Sequence, residues 1–211
     1  MRWRFLLLTL SFFINENALP QSKVNLSKSF SVPISEELKP FYAPSEGQIE
    51  DLLKGTVIST SSVNTPKPKT QQMMLFVAGV HPRNCTRTMR KLSLYENYSS
   101  YIDFIKESKY NEQTEKISFL MDHTLLPFPM TLSFKLPRIT KAGHYPFTFE
   151  NGFLKDLKGT IIVHDVGKFC LLGLKTDWQG PETRIPNIIF ETFVQTVGKL
   201  GLEHLIRVSL F

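Results

Sequence analysis

The chain has 211 residues, of which 42% are hydrophobic and 17 are Phe, and its formal net charge is +6. This length allows one globular domain with a substantial core, and the Phe content suits a packed sheet or an apolar cavity. Its Lys and Arg residues are scattered without a long basic block, which argues against dedicated nucleic-acid binding but is compatible with peripheral contact with anionic lipid.

The N-terminus has the pattern of a secretory signal. Arg2 and Arg4 precede an apolar run over residues 5–14, which is followed by the polar residues 15–17. The run is too short to span a bilayer, so we expect a signal peptide over residues 1–18 and an exported, periplasmic or extracellular protein. An uncleaved lipid-facing anchor is the alternative, because Glu16 stands where a cleavage site prefers a small residue.

Residues 19–54 are predicted to form a Pro-rich extended arm and a short helix. Four prolines lie within residues 19–44 without sustained periodicity, which is typical of an arm or linker. Ser45 is a suitable helix cap, acidic residues load the first turns after it, and Gly55 is a suitable stop.

The next segments predict strands and then helices. A β-branched run at 56–60 and an apolar run at 73–80 indicate two strands joined by a long hairpin, or one strand with an insertion at 65–70. From about Thr86, apolar and tyrosine residues recur every three to four positions through Ile105, as on one side of a helix or helix pair.

The second half reads as strands followed by a long helix. Period-two alternation around residues 130–136 and 145–149, and runs at 160–164 and 169–176, predict antiparallel strands. Residues 185–206 return to helical spacing, and Gly198 and Gly201 within them predict a bend or a close approach to the sheet. The predicted apolar stripe of this helix comprises Ile185, Ile189, Phe193, Val197 and Leu200.

Two short sequences and the order of the elements resemble a known superfamily. Residues 94–98 read Leu-Tyr-Glu-Asn-Tyr, which is similar to an Asp-Tyr-Glu-x-Tyr motif with Leu in place of the Asp, and residues 184–187 read Arg-Ile-Pro-Asn before the last helix. Over residues 55–208 the chain resembles START lipid-transfer domains, coenzyme Q-binding proteins, polyketide cyclases and birch-pollen-allergen-like proteins. The resemblance implies an α+β helix-grip fold, in which a curved antiparallel β-sheet wraps around a long C-terminal helix, with two short helices after the first strand.

The resemblance also implies a function. We expect an exported, monomeric protein that binds or carries a hydrophobic small molecule, such as a lipid, quinone, sterol or polyketide-like compound, in a cavity beneath the C-terminal helix. Apolar character and position on strands or on the helix stripe select the candidate lining. The candidates are Phe119, Phe134, Phe147, Phe149, Phe169, Leu171, Ile189, Phe193 and Val197.

Two other functions stay open at this stage. One is a cyclase or dehydratase-like enzyme with His123, His144 or Asp177 as its base, and the other is a non-catalytic module that binds a protein through the arm 19–44 and the hairpin 56–80. The sequence has no Gly-rich phosphate loop, GxSxG or HExxH motif, so it favours a non-catalytic role and predicts no cofactor or metal. Cys85 and Cys170 could pair or remain free thiols.

Overall fold

The structure is a computed structural model that describes residues 31–124 and 128–210. The predicted signal peptide 1–18 and residues 19–30 of the predicted arm lie outside the described residues. The described elements, in chain order, are α1 (Ser31–Leu38), α2 (Glu46–Leu53), β1 (Ile58–Lys67), β2 (Thr70–His81), α3 (Cys85–Leu92), a 3-10 helix (Tyr95–Ser100), β3 (Ile105–Asn111), β4 (Lys116–Met121), β5 (Met130–Lys135), β6 (Gly143–Asn151), β7 (Lys158–Val166), β8 (Phe169–Pro181) and α4 (Asn187–Val208).

The eight strands form one curved antiparallel sheet. Its strand order is β1-β2-β8-β7-β6-β5-β4-β3, so the strands from β3 to β8 follow one another as neighbours and β8 returns to pair with β2. Of the two interpretations of residues 56–80, the structure has the hairpin, with Ile58 opposite Ala78. The pair of short helices therefore follows β2.

Helix α4 lies across the inner face of the sheet, as predicted. The sheet's edge strand β1 binds the helix through polar groups: Ser61 Oγ donates to the backbone oxygen of Glu191 over 3.2 Å, and Gln195 Nε2 donates to the backbone oxygen of Ser59 over 3.1 Å. Gly198 brings the helix close to β2, since a Cβ there would lie 2.9 Å from Val77 Cγ2. The helix thus closes against one edge of the curved sheet.

Helices α1 and α2 cover part of the outer face of the sheet. Their residues Ile34, Leu38 and Leu52 are fully buried against a second apolar core that includes strand residues of β2, β7 and β8. The prediction of an extended arm is wrong for residues 31–38, which are helical. Pro33 is compatible with this helix because it stands in the first turn, where a backbone N–H has no partner within the helix.

The predicted helix after Ser45 is confirmed. Ser45 caps α2, its hydroxyl accepting from the backbone N–H of Gln48 over 3.3 Å, and the Gln48 side chain bonds back to the backbone of Ser45. Gly55 follows the helix with a φ of 83°, a conformation that favours glycine. The sequence signals at both ends of this helix are therefore borne out.

A disulfide bond joins Cys85 to Cys170. It links the start of α3 to the start of β8 and resolves the alternative that the sequence left open. Among residues 31–124 and 128–210, no helix combines the length and the apolar character that crossing a membrane requires.

Candidate ligand-binding cavity

A cavity of about 340 Å³ lies between the inner face of the sheet and α4. Side chains of α3 and the 3-10 helix, including Met89, Leu92 and Tyr95, close it on a further side. Its walls are formed almost entirely by Leu, Ile, Val, Met and Phe. The volume falls within the range of pockets that bind small molecules, so the fold leaves apolar space that its own side chains do not fill.

The hydroxyl groups in the cavity wall are bonded to the protein itself. Tyr98 donates to the backbone oxygen of Leu92 over 2.6 Å. Tyr95 donates to the backbone oxygen of Pro137 over 2.9 Å and accepts from the backbone N–H of Ile139 over 3.0 Å. The hydroxyl groups of both rings therefore form hydrogen bonds within the cavity wall, and the apolar faces of the rings can contact the interior.

The lining is electrically neutral. Burial raises the pKa of the Tyr95 and Tyr98 hydroxyls above the ordinary value, which keeps both protonated. The remaining lining hydroxyl, on Thr176, lies 4.0 Å from the sulfur of Met73. Within the described part of the chain, no charged side chain lines the cavity. The site is therefore suited to apolar contact and offers no acid or base.

Arg138 fixes the 3-10 helix that carries the tyrosines. Its guanidinium donates to the backbone oxygen of Ser93 over 2.5 Å, pairs with Glu96 at 3.0 Å and lies 4.5 Å from the ring centre of Tyr110. Partial burial favours the protonated form of Glu96, but the hydrogen bond and the charge of Arg138, together with a backbone hydrogen bond, outweigh it and lower the Glu96 pKa. Tyr95 is further held by Ser108, whose hydroxyl donates to its backbone oxygen. The tyrosine wall is thus anchored from outside the cavity.

Most of the residues predicted from the sequence come together at this cavity. They lie on β4, β5, β6 and α4, and their side chains face the same space. Several of the rings pack on one another, for example those of Phe134 and Phe149 with centres 5.1 Å apart. The predicted residues that line the cavity are Phe119, Phe134, Phe147, Phe149, Phe193 and Val197.

Three of the predicted lining residues lie elsewhere. Phe169 and Leu171 belong to the outer core beneath α1 and α2, because successive strand residues alternate and it is Leu172 and Leu174 that face inward. Ile189 is 57% exposed, because the buried stripe of α4 begins one residue later, at Phe190.

The sequence reasoning missed part of the lining. The strand β2 contributes Met73, Leu75 and Val77. These residues carry no period-two signal, because Met74 and Phe76 between them are also apolar. Phe76 packs in the outer core, and Met74 is 43% exposed. Tyr95 and Tyr98 were identified as a motif, but their place in the wall follows only from the fold of residues 93–101.

The side chains considered as a catalytic base all lie outside the cavity. His144 lies 2.6 Å from Glu37 of α1, and Asp177 pairs with Lys175 at 3.6 Å. His123 follows β4 and is not part of the lining. In the parts of the chain that the structure describes, no three His, Cys, Asp or Glu side chains are placed to hold a metal ion. The enzyme hypothesis in its stated form, with one of these three residues in the cavity, is therefore wrong.

Solved structures share this architecture. The chain superposes on an aromatase/cyclase from a Streptomyces species with a TM-score of 0.56 and 8% identity, covering 66% of this chain and 94% of that one. A Thermus thermophilus protein gives a TM-score of 0.54 at 13% identity, covering 65% and 97% of the two chains, and a conserved Geobacillus kaustophilus protein gives 0.53 at 11%, covering 64% and 93%.

No protein-family model matches the sequence, and no curated protein matches it significantly. At these identities the superpositions describe the fold alone. About two thirds of this chain superposes on nearly the whole length of each of those chains. The protein therefore has the helix-grip fold that the sequence predicts.

Proposed function

We propose that the protein is an exported binder or carrier of a hydrophobic small molecule, of the lipid, quinone, sterol or polyketide-like class, which it holds beneath α4. The observation that carries this proposal is the apolar cavity of about 340 Å³, whose tyrosine hydroxyls are already bonded to the wall. Transfer of apolar surface from water into such a space is favourable at roughly 25 cal/mol per Å². A hydrophobic ligand thus needs no special residue in order to bind.

The disulfide supports the export part of the proposal. Cys85 and Cys170 form a bond in the described residues, and structural disulfides persist in oxidising compartments such as the periplasm or the extracellular space. The basic and apolar pattern of residues 1–18 favours the same location. Peripheral contact with a membrane is also part of the proposal, because an apolar ligand has low solubility in water and is concentrated in lipid.

The alternative of a protein-binding arm has less support. It requires that the arm can be removed without loss of the fold. Ile34 and Leu38 of α1 are fully buried on the sheet, so residues 31–38 are part of the folded core. The structural role of this segment accounts for its contacts without a partner protein.

Native mass spectrometry of the full-length protein, produced with its own N-terminus and purified without detergent, tests the proposal. We expect a bound mass that organic solvent extracts and that chromatography identifies as an apolar compound. The variant Val197→Trp places a large ring in the cavity and should lose this mass. Thr196→Trp is the matched control, because it introduces the same ring on the exposed face of α4 one residue away.

Repeated recovery of the folded wild-type protein without any bound apolar compound contradicts the proposal. Equal occupancy in Val197→Trp and Thr196→Trp also contradicts it, since the compound would then lie outside the cavity. The same spectra report the oligomeric state, for which we expect a monomer. Circular dichroism of both variants shows whether each retains the wild-type fold.

A further inference from the structure

Three large apolar side chains are exposed near the beginning of α4. Ile188 is 75% exposed, Ile189 is 57% exposed and Phe128 is 41% exposed. Phe128 reaches the helix through Phe153, whose ring centre lies 5.2 Å from that of Phe128 and 5.5 Å from that of Phe190. We call the surface formed by Phe128, Ile188 and Ile189 the apolar end. Exposed apolar side chains grouped in this way mark a site of contact more often than single ones do.

The apolar end is continuous with the cavity. The ring of Phe190 contacts Phe153 and stacks near Phe193, with ring centres 5.5 and 6.5 Å from its own. Phe193 in turn lines the cavity. Aromatic side chains therefore form an unbroken apolar connection from this surface to the interior.

Exposed cationic side chains lie beside the apolar end, next to the start of α4. The tip of the β1–β2 hairpin is held beside α4, because Asn187 Nδ2 donates to Thr65 Oγ1 over 3.2 Å and the backbone N–H of Glu182 donates to the oxygen of Lys69 over 2.9 Å. The exposed cations placed there are Lys67, Lys69 and Arg184. Two acidic residues lie in the same region, Glu182 next to the hairpin tip and Glu191 on α4, whose carboxylate accepts from the backbone N–H of Val63 over 3.2 Å. The three cations outnumber these two acids, so the region beside the apolar end carries a net positive charge.

We propose that the apolar end docks on an anionic phospholipid bilayer, with Ile188, Ile189 and Phe128 entering the interface and the three cations contacting lipid headgroups. This inference rests on the proposed function, because it identifies where an apolar ligand would pass between bilayer and cavity. A bilayer matches the surface better than a protein partner does, since exposed apolar side chains stand beside an excess of exposed cations, the combination that an anionic lipid surface attracts. Docking on a bilayer requires neither a groove nor an unpaired strand edge on the protein.

Vesicle co-sedimentation of the full-length protein tests the proposal. The probes are vesicles of phosphatidylcholine alone and of phosphatidylcholine mixed with phosphatidylglycerol, each at low and high salt. We expect binding to the mixed vesicles that salt weakens. Two multiple variants should each weaken this binding by about tenfold or more: Ile188→Ser/Ile189→Ser, and Lys67→Gln/Lys69→Gln/Arg184→Gln. Each cation, and each apolar side chain that enters the bilayer, contributes to the binding free energy.

The matched control is Val32→Ser/Met74→Ser. Val32 and Met74 are 60% and 43% exposed, but they lie on α1 and β2, away from the apolar end. This variant loses the same kind of apolar surface and should bind mixed vesicles as the wild type does. Equal weakening in the control and the apolar-end variants overturns the proposal, and so does the absence of binding to mixed vesicles.

Two further readouts separate the competing explanations. The protein could instead fail to bind vesicles and elute as a dimer in size-exclusion chromatography. If Ile188→Ser/Ile189→Ser converts that dimer to a monomer, a second copy covers the apolar end and membrane docking is wrong. Native mass spectrometry of the same samples reports cavity occupancy separately. If the protein carries a bound compound but does not bind vesicles, membrane docking is wrong and the proposed ligand binding stands. If the protein binds vesicles but its cavity is empty, the proposed ligand binding is wrong and membrane docking stands.

Discussion

The hydroxyl of Tyr98 donates a 2.6 Å hydrogen bond to the backbone oxygen of Leu92, the last residue of α3. This bond connects the 3-10 helix back to α3, and both elements line the cavity. The ring of Tyr98 is stacked against Phe119 of β4, with ring centres 5.8 Å apart and an angle of 10° between the planes. One side chain thus joins two helical segments and a strand around the candidate site.

Tyr98→Phe should lower stability while leaving ligand binding intact. The substitution removes one hydrogen bond, which costs about 0.5–1.5 kcal/mol, and leaves the ring contact with Phe119 in place. Urea denaturation measures the loss, and native mass spectrometry measures occupancy. A loss of bound ligand without a change in stability would instead mean that the hydroxyl contacts the ligand.

Gly198 and Gly201 should respond oppositely to substitution by alanine. A Cβ at Gly198 would lie 2.9 Å from Val77 Cγ2 and 3.0 Å from Leu75 Cδ2, so Gly198→Ala should destabilise the protein by about 1–3 kcal/mol. At Gly201 the nearest atom, Phe104 Cζ, would be 3.7 Å away, so Gly201→Ala should stabilise the helix by up to about 1 kcal/mol. Thermal unfolding of both variants measures the difference, and a shift of the same sign in both would contradict this packing.

Loss of the disulfide should destabilise the protein strongly. Cys85 and Cys170 are 85 residues apart in sequence, and closure of a loop of that length contributes about 4.6 kcal/mol if the bond acts on the unfolded chain. We expect Cys85→Ala/Cys170→Ala to unfold at much lower urea concentration than the wild type. Reductant should reproduce this shift in the wild type and have no effect on the variant. An unchanged midpoint under reduction would show that the bond does not stabilise the fold.

Buried His81 should make stability depend on pH between neutrality and pH 4. Its side chain is fully buried, Nδ1 accepts from the backbone N–H of Arg83, and burial lowers its pKa from 6.5 to about 4. As the pH falls from about 6.5 to 4, the unfolded chain takes up a proton that the folded protein does not. Stability should therefore fall by as much as about 3 kcal/mol over this window.

Urea denaturation at several pH values measures this slope. His81→Gln is the control, because it keeps a hydrogen-bond acceptor and cannot titrate. The difference between wild type and variant isolates the contribution of His81 from that of every group that the two proteins share. Parallel curves for the two proteins would show that His81 does not have the lowered pKa.

The order of the strands and the closing helix could be predicted because their patterns are local. Met130, Leu132 and Phe134 alternate with polar or exposed residues, and the turn at Gly167 separates β7 from β8. Such signals depend only on which face of an element is buried. The position of α4 across the sheet followed from this order by resemblance.

The lining was predictable only where one face of a strand is polar. β8 carries an apolar run over residues 169–174 because the inner cavity and the helices α1 and α2 cover its two faces. Alternation disappears in such a strand, so Leu171 and Leu172 cannot be told apart from the sequence. Of the two covering helices, α2 was predicted from its cap at Ser45, but α1 was hidden by the prolines of residues 31–44, whose effect depends on their position within a turn.

The self-contained hydrogen bonds of Tyr95 and Tyr98 have a consequence for selectivity. A guest that brings a hydroxyl or amide into this interior loses its hydrogen bonds to water, and the described wall offers few polar groups in return. Each group left unpaired costs roughly 1–3 kcal/mol. No charged side chain of the described wall is present to fix the guest's orientation. The cavity would therefore select ligands by their size and against those that carry polar substituents.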